Sequence, residues 1–511
     1  MSAAPLLVGL DAGTRSIRAL VFEPDGTVVA EGGAPTPTVY AEPARAHYEP
    51  EALWRAAARA LRQATGRIHD PRRIVGVAAA SIGESAVPLD ADGAPTHNAI
   101  AWFDQRTKGE RDRLERTVGG DRLFAVTGLN SEPIFGLCKL LWLKANERSA
   151  FERTRRWLNI ADYLAWRMCG VAATDYSLAS RTLALDIHAL AWAEDLIREA
   201  GVSPDLFAPL RPSGSPLAPV TPEAARATGL PRSCVVGVGG HDHICGALAA
   251  GAWQEGVVVD SLGTAEALLL ALDKPIADAA LGRGGYSQGV IVVDQPAYYV
   301  VGGLLTSGGS IEWFRDILGG AKVSYAALIA EGEAVPPGSL GVCFLPHLRA
   351  GSPPHPDPRA RGAFFGLSTD ATRGTLFRAI LEGLAYDARL LLEGLSELPG
   401  VPPIGRIRAI GGHTRNELLM RIKAAVFNRA ITVAEMPETT SLGAAIFGGL
   451  AAGVYSDLAQ ALAELRSATR RVEPAADLAA AYDARFRAVY RRAYKSLRPL
   501  HRAALRLDHP D

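Results

Sequence analysis

The stretch LLVGLDAGTRSIRALVFEPDGTVVAE, residues 6–31, decides the fold. Leu6–Leu10 and Ile17–Phe22 are short apolar runs that predict β-strands, and the residues between them have the composition of a turn. The letters PDG form a hairpin signal, after which Val28–Glu31 begins a third strand. Three antiparallel strands argue against a Walker loop or a dinucleotide fingerprint, because both of those need a strand, a loop and then a helix.

The same order of elements returns in the second half of the chain. Gly256–Asp260 is an apolar strand, the letters SLGTAE form a turn, and Ala267–Ala271 is again a strand. The letters themselves are only thinly similar, but the order of strand, Gly-Thr turn and strand is repeated. We therefore predict two related α/β domains that face each other.

Composition supports two domains and excludes some functions. The chain has 511 residues, which is too long for one ordinary core, and 48% of them are hydrophobic. Lysine plus arginine and aspartate plus glutamate are equal at 54 each. General nucleic-acid or membrane-surface binding needs a basic surplus, so neither partner is expected.

Cysteine usage and hydropathy suggest a compartment. The five cysteines are scattered and include no C-x-x-C pair, so neither a disulfide framework nor a zinc cluster is expected. A reducing cytoplasm fits this pattern, and no basic segment of the signal-peptide type precedes the first apolar run. The uncharged stretch Thr439–Ser456 is expected to be a helix packed closely on a sheet, and a membrane span is the weaker interpretation.

The first turn has residue types that bind phosphate. Gly13 lets backbone N–H groups approach a phosphate, Thr14 adds a hydroxyl, and Arg18 could reach a terminal phosphate. Asp11 would hold Mg²⁺, through water, since magnesium keeps several of its waters. The alternative is a plain hairpin turn, in which Asp and Gly are also common.

The turn of the second half repeats this chemistry with Gly263 and Thr264. Alone it is weaker than the first turn, and an ordinary turn explains it equally well. Together the two turns predict a nucleotide held between two domains, because such a ligand needs donors from both sides.

The run Gly239-Gly240-His241-Asp242-His243 places ionisable side chains within an apolar sequence. Asp242 is predicted to be a general base, since phosphoryl transfer needs one group that accepts the hydroxyl proton. The alternative is that Asp242 only caps the helix that follows. A metal site made by the three ionisable side chains is less favoured, because adjacent residues seldom point at one ion.

A fourth passage, Ile410-Gly411-Gly412-His413-Thr414-Arg415-Asn416, lies between an apolar strand and a predicted helix. A Gly-Gly turn from strand to helix is a favoured ligand crevice in α/β folds. A close-packed turn without a ligand is the alternative.

These four passages, in this order, resemble the FGGY family of carbohydrate kinases, part of the wider group of actin, hexokinase and chaperone ATPases. The resemblance extends from Leu6 to about Leu497. Further matching segments include AWFDQRT at 101–107, TDY at 174–176 with ASRT at 179–182, SIEW at 310–313, RGAFFGL at 361–367 and LEG at 381–383.

The resemblance implies two ribonuclease H-like domains with ATP and sugar in the cleft between them. Residues 1–250 would form the sugar-binding domain, and residues 251–511 the mainly nucleotide-binding domain with its C-terminal helices. Asp242 would be the base, with Asp11 and Asp242 near Mg²⁺. The predicted nucleotide contacts are Gly13, Thr14, Arg18, Gly263, Thr264, Gly308, Glu312, Gly412, His413 and Asn416.

The sugar pocket is expected in the first domain. Glu84 matches the Arg-Glu pair of glycerol kinases, but Gly83 replaces the arginine, and Ile134 stands where those enzymes have a tyrosine. Smaller residues leave room, which favours a larger ketose or polyol. Trp102 and Asp104 are predicted to contact the sugar, with core packing as the alternative for Trp102, and His243 is predicted as a further hydroxyl partner, with a turn-capping histidine as the alternative.

The predicted function is thus an ATP-dependent kinase for a ketose or polyol, of pentulose or hexulose type. A kinase for a small polyol such as glycerol or erythritol is the first alternative. A nucleotide-switched binding module and a catalytically silent sensor are alternatives of other classes. Because members of the family are often dimers, a homodimer is an open possibility.

Overall fold

A computed structural model describes residues 4–42, 45–251, 254–292, 295–435, 438–466 and 468–508. The elements of the first half are β1 Leu6–Ala12, β2 Ser16–Phe22, β3 Val28–Pro35, β4 Thr38–Glu42, β5 Arg45–Tyr48, α1 Pro50–Thr65, β6 Ile74–Ser81, β7 Ala86–Leu89, β8 Ala99–Ile100, α2 Lys108–Val118, α3 Gly120–Thr127, α4 Gly136–Asn146, α5 Arg148–Arg153, β9 Arg156–Asn159, α6 Ile160–Cys169, α7 Tyr176–Ala179, β10 Leu185–Asp186, β11 Ala191–Trp192, α8 Glu194–Glu199, β12 Pro216–Pro219, α9 Pro222–Thr228, β13 Val235–Gly237, β14 Gly240–His241 and α10 Asp242–Ala249.

The second half begins after α10. Its elements are β15 Val257–Leu262, β16 Glu266–Leu272, α11 Ala280–Arg283, β17 Ser287–Val292, β18 Pro296–Leu304, α12 Ser307–Ile317, α13 Tyr325–Ala334, β19 Cys343–Leu345, β20 Ala363–Phe365, α14 Arg373–Ser396, β21 Arg406–Ile410, α15 Glu417–Phe427, β22 Ile431–Ala434, α16 Thr439–Ala451, α17 Leu458–Glu464, β23 Thr469–Val472, α18 Ala476–Arg485 and α19 Arg491–Asp508.

The two main sheets share one topology. The first has the order β12-β13-β6-β1-β2-β3, with β14 also paired to β6, and the second has the order β17-β18-β16-β15-β21-β22-β23. In each, an antiparallel meander (β1-β2-β3 or β15-β16-β18) adjoins two parallel strands (β6 and β13, or β21 and β22). The predicted three-strand start and its repeat in the second half are confirmed.

Two helices lie between the sheets. α16 packs on β1 and β6 of the first sheet and also against α10. One buried apolar cluster combines Leu7 of the first sheet, Val259 of the second, Leu248 of α10 and Ile446 of α16. The helix predicted within 439–456 is confirmed, and it lies on a sheet as expected. No helix among the described residues is both long and apolar enough to cross a membrane.

The proposed division at residues 250 and 251 follows the sheets but not every helix. Strands of the first sheet lie within residues 6–241 and those of the second within 257–472. α16 nevertheless belongs to the second half of the chain and covers the first sheet. One helix of the second half of the chain thus packs on the sheet of the first half. The boundary between the domains remains a proposal. All five cysteines are free thiols.

Close backbone contacts explain the glycines of this interface. A Cβ added to Gly9 of β1 would lie 1.7 Å from the carbonyl oxygen of Ser441 in α16. A Cβ on Gly443 would lie 2.1 Å from the carbonyl oxygen of Cys245 in α10. Real Cβ atoms do not approach so closely, so the absence of side chains permits α16 to lie directly on the strand and on its neighbouring helix.

We expect the substitution Gly9→Ala to lower the free energy of unfolding by about 3 kcal/mol, because overpacking forces backbone shifts. Gly109 of α2 is the matched control, since its added Cβ would meet nothing within 4 Å. Gly109→Ala should be neutral or stabilising by roughly 0.5–1 kcal/mol. Chemical denaturation of both variants measures the difference, and equal effects would contradict the close packing of α16 on β1.

Candidate active site

The first sheet brings the ends of three strands to one edge. β1 and β14 both pair in parallel with the central strand β6. Because the carboxyl ends of parallel strands form the ligand crevice of open α/β sheets, the residues that follow these strands share a cleft. Asp11 lies near the end of β1, Glu84 follows β6, and Asp242 follows β14.

Asp11 and Asp242 form a pair of like charges. The pKa of Asp11 is raised to about 8, first by burial and then by the charges of Asp242 and Glu438. Burial also raises the pKa of Asp242, and the charge of Glu84 adds to the rise. The Oδ1 atom of Asp11 is buried and has no hydrogen-bond partner.

This donor set fits Mg²⁺, which takes carboxylate oxygens and keeps several waters. Oδ1 of Asp11 lacks a hydrogen-bond donor and lies near a second carboxylate, that of Asp242. A small divalent cation compensates both negative charges, which a neutral donor cannot do. No group of three or more His, Cys, Asp or Glu among the described residues could hold a metal ion. A site with only Asp11 and Asp242 as protein ligands therefore suits magnesium and not a fully caged metal.

Asp242 is the first residue of α10 and is accessible from the cleft. The residue that precedes the helix is His241, which makes no side-chain capping bond, so Asp242 lies in the first turn and not at the cap position. Oδ1 of Asp242 accepts a hydrogen bond from the N–H of His243 at 2.7 Å. The Asp242 side chain is 20% exposed. A half-buried carboxylate at this edge can accept a proton from a bound hydroxyl.

His241 is a buried neutral base beside Asp242. Burial lowers the pKa of His241 well below its usual value. Its Nε2 lies 3.2 Å from Oδ1 of Asp242, so the tautomer with a proton on Nε2 donates to that carboxylate. The backbone N–H of His241 donates to Oγ of Ser177 at 2.9 Å, and that hydroxyl donates to the buried Asp175 at 2.5 Å. The segment of Asp175 and Ser177 is therefore hydrogen-bonded to the backbone of the turn that carries Asp242.

The second phosphate turn meets two other segments. The N–H of Gly308 donates to the carbonyl oxygen of Gly263 at 3.2 Å, and the N–H of Gly309 donates to that of Thr264 at 2.8 Å. A Cβ on Gly308 would lie 2.1 Å from Nε2 of His413. The structure thus brings together four of the residues predicted on the nucleotide side: Gly263, Thr264, Gly308 and His413.

A cavity of about 650 Å³ adjoins the turn after β21. Its lining includes Gly412 and Thr414 of that turn, Arg470 of β23, and Glu438 and Thr440 at the start of α16. A Cβ on Gly412 would meet nothing within 4 Å, so this glycine borders open space. The volume is in the range of small-molecule sites and would accommodate a nucleoside.

Two residues predicted at the adenosine site do not line this cavity. Asn416 caps α15, because its side-chain oxygen accepts a hydrogen bond from the N–H of Leu419 at 3.1 Å. His413 is turned toward Gly308. Glu312 is exposed on α12 and accepts a hydrogen bond from the hydroxyl of Tyr325. Burial lowers the pKa of His413, and the charge of Glu312 opposes that shift in part.

Arg18 links the cavity to the carboxylate pair. Its guanidinium forms an ion pair with Glu438, which lines the cavity. Glu438 and Arg18 both act on the pKa of Asp11, the first raising it and the second lowering it. Arg18 is therefore placed between the cavity and Asp11, and it must leave Glu438 to meet a phosphate.

The other end of the cleft contains a buried ion pair. Arg181 donates to Oε1 of Glu84 at 2.7 Å, and both side chains are almost fully buried. Glu84 has a positive φ of 61°, a conformation uncommon for a residue with a side chain. The charges of Glu84 and Arg181 both act on the pKa of Asp242, which places this pair at the catalytic turn.

The extra room predicted at Gly83 is absent. A Cβ on Gly83 would lie 3.0 Å from the His241 ring and 3.1 Å from Cγ of Arg181. These two side chains fill the space, so the inference from a small residue to a wider pocket was wrong at this position. Arg181 supplies from a different segment the guanidinium that residue 83 lacks.

The three other predicted sugar contacts have different surroundings. Trp102 is 36% exposed and its Nε1 donates to Oγ1 of Thr14 at 3.0 Å, so core packing is excluded. His243 is exposed, with its ring 5.4 Å from that of His241.

Asp104 must be reassigned. It is fully buried and both of its oxygens are occupied, by Arg106 and by the N–H of Ala46 at 2.7 Å. A carboxylate without a free oxygen cannot also bind a sugar hydroxyl, so the predicted contact is not supported.

Five residues of the site were missed by sequence reasoning: Asp175, Arg181, Glu438, Lys139 and Lys423. The first two lie in segments that the family resemblance had already singled out, TDY and ASRT. The other three had no local signal, because their role depends on partners far along the chain.

Two interlocked α/β halves, each with a phosphate-type turn, and a carboxylate pair between them define a class: two-domain phosphotransferases. Family models confirm this. The model of the N-terminal domain of the FGGY family of carbohydrate kinases matches residues 6–249, and that of the C-terminal domain matches residues 258–452. The chain belongs to the FGGY family of carbohydrate kinases and is a phosphotransferase with an alcohol group as acceptor.

Individual relatives agree over the whole length. A gluconokinase of Bacillus subtilis is 28% identical, with 93% of each chain covered. A glycerol kinase of Trichlorobacter lovleyi is 31% identical, covering 88% of this chain and 91% of that protein. The crystal structure of a xylulose kinase from Rhodospirillum rubrum superposes with a TM-score of 0.88 at 28% identity, covering 97% of this chain and all of the other. The predicted fold class is thereby confirmed.

We expect Asp11→Asn to stabilise the metal-free protein by up to about 4 kcal/mol at neutral pH, at about 1.4 kcal/mol for each pH unit above the ordinary pKa of the carboxyl. The folded-state pKa of Asp11 is raised to about 8, so the folded state binds more protons than the unfolded state between about pH 4 and 8. The free energy of unfolding of the parent protein therefore falls as the pH rises through this window, and the variant lacks this loss.

Thermal unfolding with EDTA and with Mg²⁺ measures both effects. Mg²⁺ should raise the unfolding temperature of the parent protein much more than that of Asp11→Asn. Equal Mg²⁺ responses, together with equal metal-free stability, would exclude Asp11 as a ligand.

Proposed function

We propose that this protein transfers the γ-phosphate of Mg·ATP to a primary hydroxyl of a neutral ketose or polyol, with Asp242 as the base. The observation behind the proposal is one continuous line of ionisable groups, joined by two ion pairs and, between them, by the effect of each charge on the pKa of its neighbour. It runs from the cavity at Gly412 through Glu438 and Arg18 to Asp11, and then to Asp242 and the Glu84–Arg181 pair.

The residues of the two turns would bind the phosphates. The N–H groups of Gly13 and Gly263 already donate to the carbonyl oxygens of Ser16 and Ala265, so the donors proposed for phosphate oxygens are the other backbone N–H groups of the two turns and the hydroxyls of Thr14 and Thr264. Asp11 and Asp242 would hold Mg²⁺, which supplies charge neutralisation at the phosphates. Oδ1 of Asp242 is occupied by the N–H of His243 and by the ring of His241. Asp242 therefore accepts the hydroxyl proton through Oδ2.

The charge of the acceptor site favours a neutral substrate. The carboxylates of Asp11 and Glu84 act on Asp242, Glu132 acts with them as a neighbour of the Glu84–Arg181 pair, and Arg181 is already paired with Glu84. A second carboxylate on the substrate would meet like charges without a free guanidinium, which costs several kcal/mol. A ketose such as the substrate of the xylulose kinase relatives avoids this cost, and the carboxylate of gluconate does not.

A small polyol is the second candidate acceptor. The guanidinium of Arg181 lies beside Glu84, although Gly83 provides none, so an arginine and glutamate pair is restored from another segment. The curated glycerol kinase relative is as similar to this chain as the ketose kinases.

Asp242→Asn should reduce kcat by about 10³-fold while the affinity for ATP changes little, because the amide cannot accept the proton. A coupled ADP-release assay measures turnover, and isothermal titration measures nucleotide binding. Asp477→Asn, an exposed acid in the first turn of α18, is the control and should match the parent protein. A near-parental rate for Asp242→Asn would eliminate Asp242 as the base.

An acceptor panel identifies the substrate. Ketopentoses, ketohexoses, deoxy-ketoses, tetruloses, glycerol, erythritol and D-gluconate are compared by kcat/KM in the same assay. We expect a neutral acceptor to exceed D-gluconate by about 100-fold or more, which corresponds to about 2.7 kcal/mol. D-gluconate as the best acceptor would refute the charge argument, and ATP turnover that no acceptor stimulates would refute the kinase assignment in favour of a nucleotide-switched module.

A further inference from the structure

Two lysines are completely buried, one in each half of the chain. Lys139 on α4 and Lys423 on α15 both have no exposed surface. An ammonium group in an apolar interior is costly unless several hydrogen bonds satisfy it, so its partners indicate its purpose. The partners of both lysines adjoin the substrate-binding segments described above.

Lys139 binds backbone oxygens only. Its Nζ donates to the carbonyl oxygens of Glu84 at 2.7 Å, Ala101 at 3.0 Å and Ile100 at 3.3 Å. Among the described residues no carboxylate lies within ion-pair distance of this ammonium group. Burial lowers the pKa of Lys139 to about 7.

The three carbonyls belong to the two segments of the acceptor site. One segment ends at Glu84, whose positive φ persists only when its surroundings hold it. The other leads directly into Trp102, which contacts Thr14. One ammonium group thus sets the distance between the Glu84–Arg181 pair and the indole of Trp102.

Lys423 binds two carboxylates behind the second phosphate turn. Its Nζ lies 2.5 Å from Oδ2 of Asp260 and 2.6 Å from Oε1 of Glu266. The other oxygen of Glu266 accepts a hydrogen bond from Oγ of Ser307 at 2.6 Å. Asp260 and Glu266 stand on β15 and β16, on either side of the turn with Gly263, and all three partners are buried.

This cluster connects every nucleotide-side segment. Ser307 directly precedes Gly308, whose N–H binds the Gly263 carbonyl. Lys423 itself stands on α15, the helix that follows the Gly412 turn and the cap at Asn416. The positions of three separate segments therefore depend on one ammonium group.

We propose that Lys139 and Lys423 are positioning residues with separate duties, Lys139 for the acceptor side and Lys423 for the nucleotide side. The proposal rests on the proposed kinase function for its acceptor half. Neither lysine touches a substrate, and each acts through the backbone or carboxylates that it holds.

The experiment compares Lys139→Met with Lys423→Met, each of which serves as the control for the other. We measure the KM for the acceptor, the KM for ATP, and the ATP dissociation constant without acceptor. Because an ångström-scale misplacement can cost about 100-fold, a change of at least about tenfold is expected on the affected side. Lys139→Met should weaken the acceptor side and leave ATP binding within about twofold, and Lys423→Met should do the reverse.

Arg378→Met is the matched control for a purely structural loss. Arg378 is 5% exposed and donates to Glu382, 3% exposed, at 2.8 Å within α14. Its partners include Tyr482 but no residue of either substrate site. This variant should unfold at a lower temperature with both KM values unchanged. The proposal is overturned if both lysine variants behave in the same way.

Milder variants decide the question if a methionine variant does not fold. Ser307→Ala removes only the hydrogen bond to Glu266 and should still raise the KM for ATP, whereas a parental value would refute the role of Lys423. Lys139→Gln keeps a donor for part of the carbonyl set and should raise the acceptor KM less than Lys139→Met. An unchanged acceptor KM would refute the role of Lys139.

Failure of the kinase function is distinguishable. If the parent protein phosphorylates no acceptor, the proposed function fails. The ATP dissociation constant of the Lys423 and Ser307 variants still tests the nucleotide half, and the shift in unfolding temperature caused by the panel compounds tests the acceptor half.

Discussion

Two like charges held side by side at the end of the central strand are the constraint on which the site depends. Asp11 lies near the end of β1 and Asp242 directly follows β14, and both strands pair with β6, so the sheet itself fixes their proximity. Folding raises the pKa of both carboxyls, which means that the native state opposes their ionisation. A bound divalent cation would remove this opposition, because its positive charge stabilises both ionised carboxylates.

The repeated topology divides the chemistry between the halves. The first sheet provides the two carboxylates and the acceptor segments, and the second provides the turn with Gly263 and the cavity at Gly412. α16 crosses from one half to the other, and its first residues reach both the cavity and Arg18. Glu438, at the start of this helix, therefore connects the cavity with Arg18 and with the environment of Asp11. The glycines that allow α16 to lie on β1 therefore serve the site as well as the core.

Local patterns predicted most of the framework. Residues 6–31 indicated three strands through their apolar runs and their turn letters; the structure has the first two within one or two residues at each end, and the third begins at Val28 as predicted but continues to Pro35. The four glycine-containing turns were also found from sequence, because a close backbone approach leaves glycine as a visible mark. What could not be predicted is pairing over long distance. Arg18 with Glu438 and Lys423 with Asp260 are separated by most of a domain or more, and no periodicity connects them. Asp104 shows the opposite error. It was predicted to bind the sugar because of the motif in which it lies, but its carboxylate is bound by the nearby Arg106.

Acceptor choice illustrates why one position cannot be interpreted alone. Replacement of an arginine by Gly83 suggested a wider pocket, but His241 and Arg181 enter the same space from two other segments. The guanidinium that binds Glu84 comes from Arg181 in the segment after α7, and not from the strand end. Arg181 donates to Oε1 of Glu84, and this contact fixes the direction from which the carboxylate is held. In the proposed acceptor site, the orientation of the Glu84–Arg181 pair relative to Asp242 would select the hydroxyl pattern of the acceptor, and the proposed role of Lys139 is to hold that orientation through its hydrogen bond to the carbonyl oxygen of Glu84.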